Sequence, residues 1–244
     1  MRTDGPITAR AFKERESYAR LSAPVPFAVR LDGRTFHALA KELGWETPFD
    51  EGAMRAMVAA VRGTAEGIGV PPELAFMFSD EVSLVFLEKA PFGGRVEKLA
   101  SVLASGTAGR LSIILGRPVS FDARTVLLTP AGVGDYLLWR QREAWNNHAH
   151  GHAYWALRRE GLDGPAATSR LKGVRKAELH EMCFSRGINL AKTPAWQRNG
   201  VLLVRQGGKY DERWDPPRFA TGEGRRFLER LITSDDRTDE GMKR

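Results

Sequence analysis

Apolar positions along the chain switch between a period of two and a period near 3.6, and the switches mark out its elements. An apolar run from Phe27 to Leu31, with Val29 and Leu31 flanking Arg30, predicts a buried strand over 26–32 that stops at Asp32–Gly33. Residues 34–43 and 50–68 predict helices. The second carries Met54, Met57, Val58 and Val61 at helical spacing, with Asp50 as N-cap and Glu51 in its first turn. In "ELAFMFSDEVSLVFLEK" (73–89), Phe76 and Phe78 alternate before Ser79–Asp80–Glu81, and Val82, Leu84 and Phe86 alternate after it, which predicts a hairpin. A helix over 93–115 and a strand over 119–129 follow, and a short polar helix over 8–21 precedes the whole. The order β-α-β-β-α-β is that of a ferredoxin-like, α+β fold with an antiparallel sheet and helices on one face. Beyond "PAGVG" the pattern predicts helices over 134–160, 164–171 and 175–186, a strand over 200–206 and a helix over 223–233. The chain thus divides into a sheet domain (5–130), a mainly helical part (131–206) and a charged extension (207–244).

That topology gives the acidic residues a meeting point. The first strand lies antiparallel beside the third, so the end of one adjoins the start of the other. Asp32 closes strand one; Asp80 and Glu81 open strand three. Carboxylates gathered there repel one another unless a cation lies between them. Mg²⁺ suits such a site, since it takes oxygen ligands from one or two carboxylates and from substrate phosphates. Gly33 lets its backbone come close and offer a carbonyl, and two ions so held could stabilise the attacking and leaving oxygens of a phosphoryl transfer. Backbone N–H groups entering the next helix favour phosphate; Arg34 would neutralise it, Phe36 offer a stacking face and His37 a donor. The competing structural readings are an Asp-Gly turn, ordinary hairpin residues at 79–81, a core role for Phe36 and a surface role for His37.

Composition adds a partner class. The net charge is +7 and the pI about 9.8, which favours polyanions. Lys209 to Arg244 holds nine basic and nine acidic residues, so the surplus lies upstream, most densely in "SRLKGVRK" (169–176). No apolar run approaches the ~18 residues of a membrane span, the first residues lack the apolar core of a leader, and the single cysteine, Cys183, forms no internal disulfide. A cytoplasmic location is expected. His148 and His152 share a helix face, with His150 off it; no third ligand lies nearby, so zinc is not expected. Trp139 and Trp155, at apolar helical spacing, are expected in the core.

"RLDGRTFH", "FSDEVSLVF", "FDARTVLL" and "DYLLWRQ", in this order and spacing from about residue 8 to 206, resemble the tRNA-histidine guanylyltransferase family of 3′–5′ reverse polymerases. The resemblance implies a polymerase-like palm and a nucleotidyltransferase that adds nucleotides to the 5′ end of tRNA after activating a 5′-monophosphate with ATP or GTP. It implies two Mg²⁺ ions at Asp32, Gly33 and Asp80, and a catalytic role for Asp32, Asp80 and Glu81. The triphosphate would lie along Asp32, Gly33, Arg34, Thr35, Phe36 and His37, near Ser79 and Asp80; Asp50 and Asp122 also match the pattern. The helical part would hold tRNA through Arg140, Gln141, Asn146, Arg170, Lys172, Arg175 and Lys176, in a homo-dimer or homo-tetramer. Thr47 stands where animal and fungal members have lysine, "AWNNHAHG" (144–151) replaces their "HINNLYN", and "AELHE" (177–181) replaces a stretch ending "DKNE". "PFDEGAM" is more similar to the bacterial and archaeal members that repair tRNA 5′ ends by copying the opposite strand. A nucleotide cyclase on a palm fold and a non-catalytic RNA-binding module are the alternatives.

Overall fold

The computed structural model describes residues 12–233. Its elements are β1 (Phe27–Gly33), α1 (Phe36–Leu43), α2 (Glu51–Gly67), β2 (Leu74–Phe78), β3 (Glu81–Phe86), α3 (Val96–Leu115), β4 (Phe121–Leu127), α4 (Gly132–Arg159), α5 (Gly164–Leu171), α6 (Lys176–Phe184), α7 (Ala195–Asn199), β5 (Val201–Gln206), β6 (Lys209–Arg213) and α8 (Gly222–Thr233). The six strands form one sheet in the order β4-β1-β3-β2-β5-β6, every pairing antiparallel. The first four make the ferredoxin-like β-α-β-β-α-β core anticipated from the sequence.

Each face of that sheet has its own core, because strand side chains alternate between faces. Phe27, Val29 and Leu31 point with Met77, Val82 and Leu84 into a cluster closed by Met54, Met57 and Val61 of α2 and Leu99 and Leu103 of α3. Ala28, Phe76, Phe78 and Val85 point the other way, under Val133, Tyr136 and Leu137 of α4 and Leu228 of α8. Burial on both sides explains why β2, "LAFMF", reads as an unbroken apolar run. The C-terminal half of α4 leaves the sheet and packs Ala149, Ala153 and Leu157 against α5 and α6 in a third cluster.

Two expectations are corrected. Of the helix anticipated over 8–21, residues 8–11 lie outside the described residues, and 12–21 form mainly turns. The strand near 200–206 is not a detached piece. It pairs with β2, and β6 pairs with it through the Gly207–Gly208 turn, so residues 201–213 extend the palm sheet and the boundary drawn at 206/207 falls inside a hairpin. β6 was missed because "KYDER" exposes Lys209, Asp211 and Arg213 on a half-buried edge strand, where polar residues conceal the period. The palm helices α2 and α3 lie on one sheet face as expected, and α4 and α8 of the following part cover the other.

Candidate active site

The site is built where β1 ends. Asp32 stands directly opposite Glu81 on β3 and Asp122 on β4. Residues paired in this way project from one face, so a row of three carboxylates crosses the sheet on the α4 side. Asp80 joins from the β2–β3 turn. The Gly33 N–H donates to the Asp80 carbonyl at 3.0 Å, and a Cβ on Gly33 would lie 2.7 Å from Asp80 Cβ and 2.5 Å from the Phe36 ring. Only glycine allows this approach, which closes the gap between residues distant in sequence. Burial first, then the charges of Asp32 and Glu81, hold the Asp80 carboxyl above the usual carboxylate range, against hydrogen bonds from its own N–H and from Ser79 Oγ (3.1 Å).

The four carboxylates are not equivalent. Glu81 Oε2 accepts from Arg140 Nη2 at 2.6 Å and lies 3.9 Å from Arg30 Nε; Asp122 Oδ1 lies 3.4 Å from Arg124 Nη2. Asp32 and Asp80 pair with no lysine or arginine among the described residues. Glu81 is hydrogen-bonded to a buried arginine, Asp122 has only the exposed Arg124 nearby and its buried Oδ1 accepts no hydrogen bond, and the inner two face no cationic side chain among the described residues.

Two residues hold unusual backbone at this point. Thr35, the N-cap of α1, has φ 60°, and Ser79 has φ 49°. A left-handed conformation is disfavoured for a β-branched residue, and such strain gathers at functional sites at about 1–3 kcal/mol each. Nothing in a single sequence signals it. With Thr35 so placed, the N–H groups of Phe36 and His37 open α1 without acceptors inside the helix, while the Arg34 N–H is tied to the Ser120 carbonyl at 3.0 Å. The Arg34 and His37 side chains are exposed beside this entrance.

Several candidates prove to be structural. The Phe36 ring is buried against Phe121 and Trp45, so it offers no stacking face and only its backbone remains available. Asp50 caps α2 as anticipated: Oδ1 accepts from the Ala53 N–H at 2.8 Å and Oδ2 from the Glu46 N–H at 2.9 Å, which leaves little of it for a nucleotide. Arg140, 1% exposed, and buried Gln141 do not face solvent. Gln141 Oε1 accepts from the Phe219 N–H and its Nε2 donates to the Pro217 carbonyl, locking the C-terminal segment to α4. Asn146 is half-buried beside Glu143. Arg170, Lys172, Arg175 and Lys176 are exposed, Arg175 being held by Glu178 in the cap of α6. Trp139, anticipated in the core, is 41% exposed and lies against the Arg140 guanidinium at 4.6 Å.

Two histidines of α4 are buried and partnered near α7. His148 Nε2 is 2.8 Å from Thr193 Oγ1, its Nδ1 has no hydrogen-bond partner, and His152 Nε2 is 3.1 Å from Gln197 Oε1. Burial, followed by the positive charge of His152, Arg198 and His180, lowers the His148 pKa from 6.5 to about 3. A histidine held neutral when folded binds its proton only on unfolding, so stability is intact above pH 6.5 and falls as pH drops from there towards 3. His148 alone should remove about 2 kcal/mol of stability between neutral pH and about pH 5. Melting curves across that range are expected to show the loss, and His148→Gln to flatten it; an unchanged slope would mean another group is responsible.

Among the described residues, no three His, Cys, Asp or Glu side chains gather in a way that would hold a metal unaided. The donors present are two unneutralised carboxylates and the Gly33 carbonyl, all hard oxygens. That set fits Mg²⁺, which completes its shell with water and substrate phosphate, and is unsuited to zinc, which favours nitrogen and sulfur ligands.

A split βαβ sheet with acidic residues on two adjoining strand ends, and a helix N-terminus directly behind them, defines a palm-type fold. Two family models match: tRNAHis guanylyltransferase over residues 9–129 and Thg1 C terminal domain over 131–240. The chain is 34% identical over 190 residues to a Drosophila melanogaster protein described as a probable tRNA(His) guanylyltransferase, covering 73% of this chain and 66% of that one. With the tRNA(His) guanylyltransferase of Schizosaccharomyces pombe it shares 31% over 218 residues, 83% of this chain and 82% of the relative. The chain therefore belongs to the tRNA(His) guanylyltransferase family. It spans a little under two thirds of the fly protein and of the Neurospora crassa relative (65%). In fold it is similar to a bacterial Thg1-like protein in complex with ATP (TM-score 0.72, 23% identity, 92% of this chain and 98% of that one) and to the Saccharomyces cerevisiae enzyme (0.70, 24%, 83% and 94%).

Proposed function

We propose that this protein is a Mg²⁺-dependent nucleotidyltransferase that adds nucleotides in the 3′–5′ direction to the 5′ end of tRNA, directed by the opposite strand. The observation that carries the reading is the Gly33–Asp80 contact. It sets two unneutralised carboxylates together at one end of the sheet, in front of the free N–H groups of α1. Family membership supports it, as do two bacterial Thg1-like proteins of the same fold, one in complex with ATP and one with GTP.

In this reading Asp32, Asp80 and the Gly33 carbonyl hold Mg²⁺, which supplies charge neutralisation to the phosphates at the reacting phosphorus. The backbone N–H groups of Phe36 and His37 receive phosphate oxygens at the positive end of α1, and Arg34 and His37 hold the triphosphate from the solvent side. The incoming nucleotide's 3′-oxygen forms a bond to the α-phosphorus of the tRNA 5′ end. The bond from that phosphorus to its leaving group breaks, pyrophosphate departing from a triphosphate end and the activating nucleotide from an activated monophosphate. The protein's task is alignment and charge stabilisation. Exposed Arg170, Lys172 and Lys176 supply phosphate contacts to tRNA, with Arg175 beside them. The protein acts in the cytoplasm as a dimer or tetramer.

Each labelled nucleoside triphosphate, offered to tRNAs lacking one 5′ residue with the templating base varied, tests this. Incorporation that follows the template and stops on chelation of Mg²⁺ is expected. Guanosine alone, whatever the template, would replace the repair reading with guanylyl addition to histidine tRNA; no incorporation would overturn both.

A further inference from the structure

Arg140 is the largest fully buried side chain in the described structure, a cation 1% exposed whose Nε has no hydrogen-bond partner. Burying a guanidinium is costly unless a charge meets it. The charge is Glu81, whose Oε2 accepts from Nη2 at 2.6 Å, and the guanidinium is stacked between Phe78 at 4.8 Å and Trp139 at 4.6 Å. Glu81 stands opposite Asp32 and next to Asp80. A third free carboxylate at that point would compete for any cation the inner pair holds.

We infer that Arg140 is a positioning residue that locks Glu81 out of the metal set, so that only Asp32 and Asp80 present carboxylates to Mg²⁺. In this reading Glu81 takes a supporting place instead of the catalytic one expected for it, and Arg140, being buried, is not a tRNA contact. It also ties the second matched segment, 131–240, to the site in the first, since the α4 residue fixes a β3 side chain 59 positions away. The inference rests on the metal site proposed above.

The test is Mn²⁺ binding by electron paramagnetic resonance with a non-hydrolysable triphosphate present, beside kcat on a 5′-truncated tRNA. Arg140→Met removes the only arginine hydrogen-bonded to Glu81 and leaves the carboxylate with Arg30 alone, whose Nε lies 3.9 Å away. Mn²⁺ affinity should rise about fivefold from the added local negative charge, while kcat falls about 10²-fold as the ions are displaced. Arg140→Met/Glu81→Gln removes both charges and should return affinity to the wild-type value and kcat to within about tenfold of it. Arg140→Lys, which keeps the charge, should bind Mn²⁺ as the wild type does, and it carries the test if the Met variant fails to fold. Unchanged Mn²⁺ affinity in Arg140→Met, altered affinity in Arg140→Lys, or a double variant no more active than Arg140→Met would overturn the inference. If Asp32→Asn or Asp80→Asn stays active, or the wild type binds no Mn²⁺, the metal-site reading itself fails, and this inference with it. If those two variants are dead while the Arg140 variants behave as wild type, only the inference fails.

Discussion

Asp80→Asn is expected to lose nucleotide addition by about 10³-fold or more, close to 4 kcal/mol of barrier, while melting at the same temperature as the wild type or higher. The two halves of this result have one cause. Asp80 is held in a place that disfavours its charge, through burial first and then through Asp32 and Glu81, which is why its carboxyl lies above the usual range. An ionised Asp80 therefore costs the folded state free energy at neutral pH, and an isosteric amide removes that cost. The amide also removes one of the two anionic donors proposed to face the reacting phosphates. Asp32→Asn should lose activity to a similar extent. Urea or thermal melts paired with single-turnover incorporation distinguish this from misfolding. A variant that retains addition near the wild-type rate would refute the site, and one that is inactive and strongly destabilised would show that Asp80 serves the fold instead.

Gly33→Ala is the second large effect. The added Cβ meets the Asp80 Cβ at 2.7 Å and the Phe36 ring at 2.5 Å. Phe36 has little freedom to move, packed against Trp45 and Phe121 at centroid distances of 6.4 and 5.6 Å. Overpacking of this kind costs about 1–3 kcal/mol, and the displacement falls between the two carboxylates proposed to hold Mg²⁺. Addition should fall about 10²-fold or more, as expected for a misplacement of about 1 Å at a reacting centre. Activity unchanged at a lowered melting temperature would mean that the Gly33–Asp80 approach is only a packing feature.

Much of this site could be read from short range. An apolar run ending in Asp32–Gly33 and the alternation around Ser79–Asp80–Glu81 fixed two strand ends, and the element order placed them side by side, as the Asp32↔Glu81 register shows. Asp50 was legible as a cap because capping is decided within a few residues, here between Asp50 and the N–H groups of Ala53 and Glu46. Arg140 and Gln141 were misread because an arginine beside a glutamine on a basic chain looks like a phosphate contact. Trp139 was misread because helical spacing alone placed it inside.

The element order of the sheet core, the meeting of two acidic strand ends and a basic surplus upstream of residue 209 all follow from the order of residues along the chain. These depend on local period, turn chemistry and composition, all of which act over a few residues or over the whole chain at once. Which carboxylates remain unpaired depends on the folded molecule, since Glu81 is met by an arginine on α4 and Asp32 and Asp80 are not. The fold alone shows that the Gly33 backbone needs the space a side chain would fill, that Thr35 and Ser79 adopt left-handed backbone, and that residues 201–213 complete the sheet. The reason is physical: a charge or a ring takes its role from the groups that solvate it, and those groups come from distant parts of the chain.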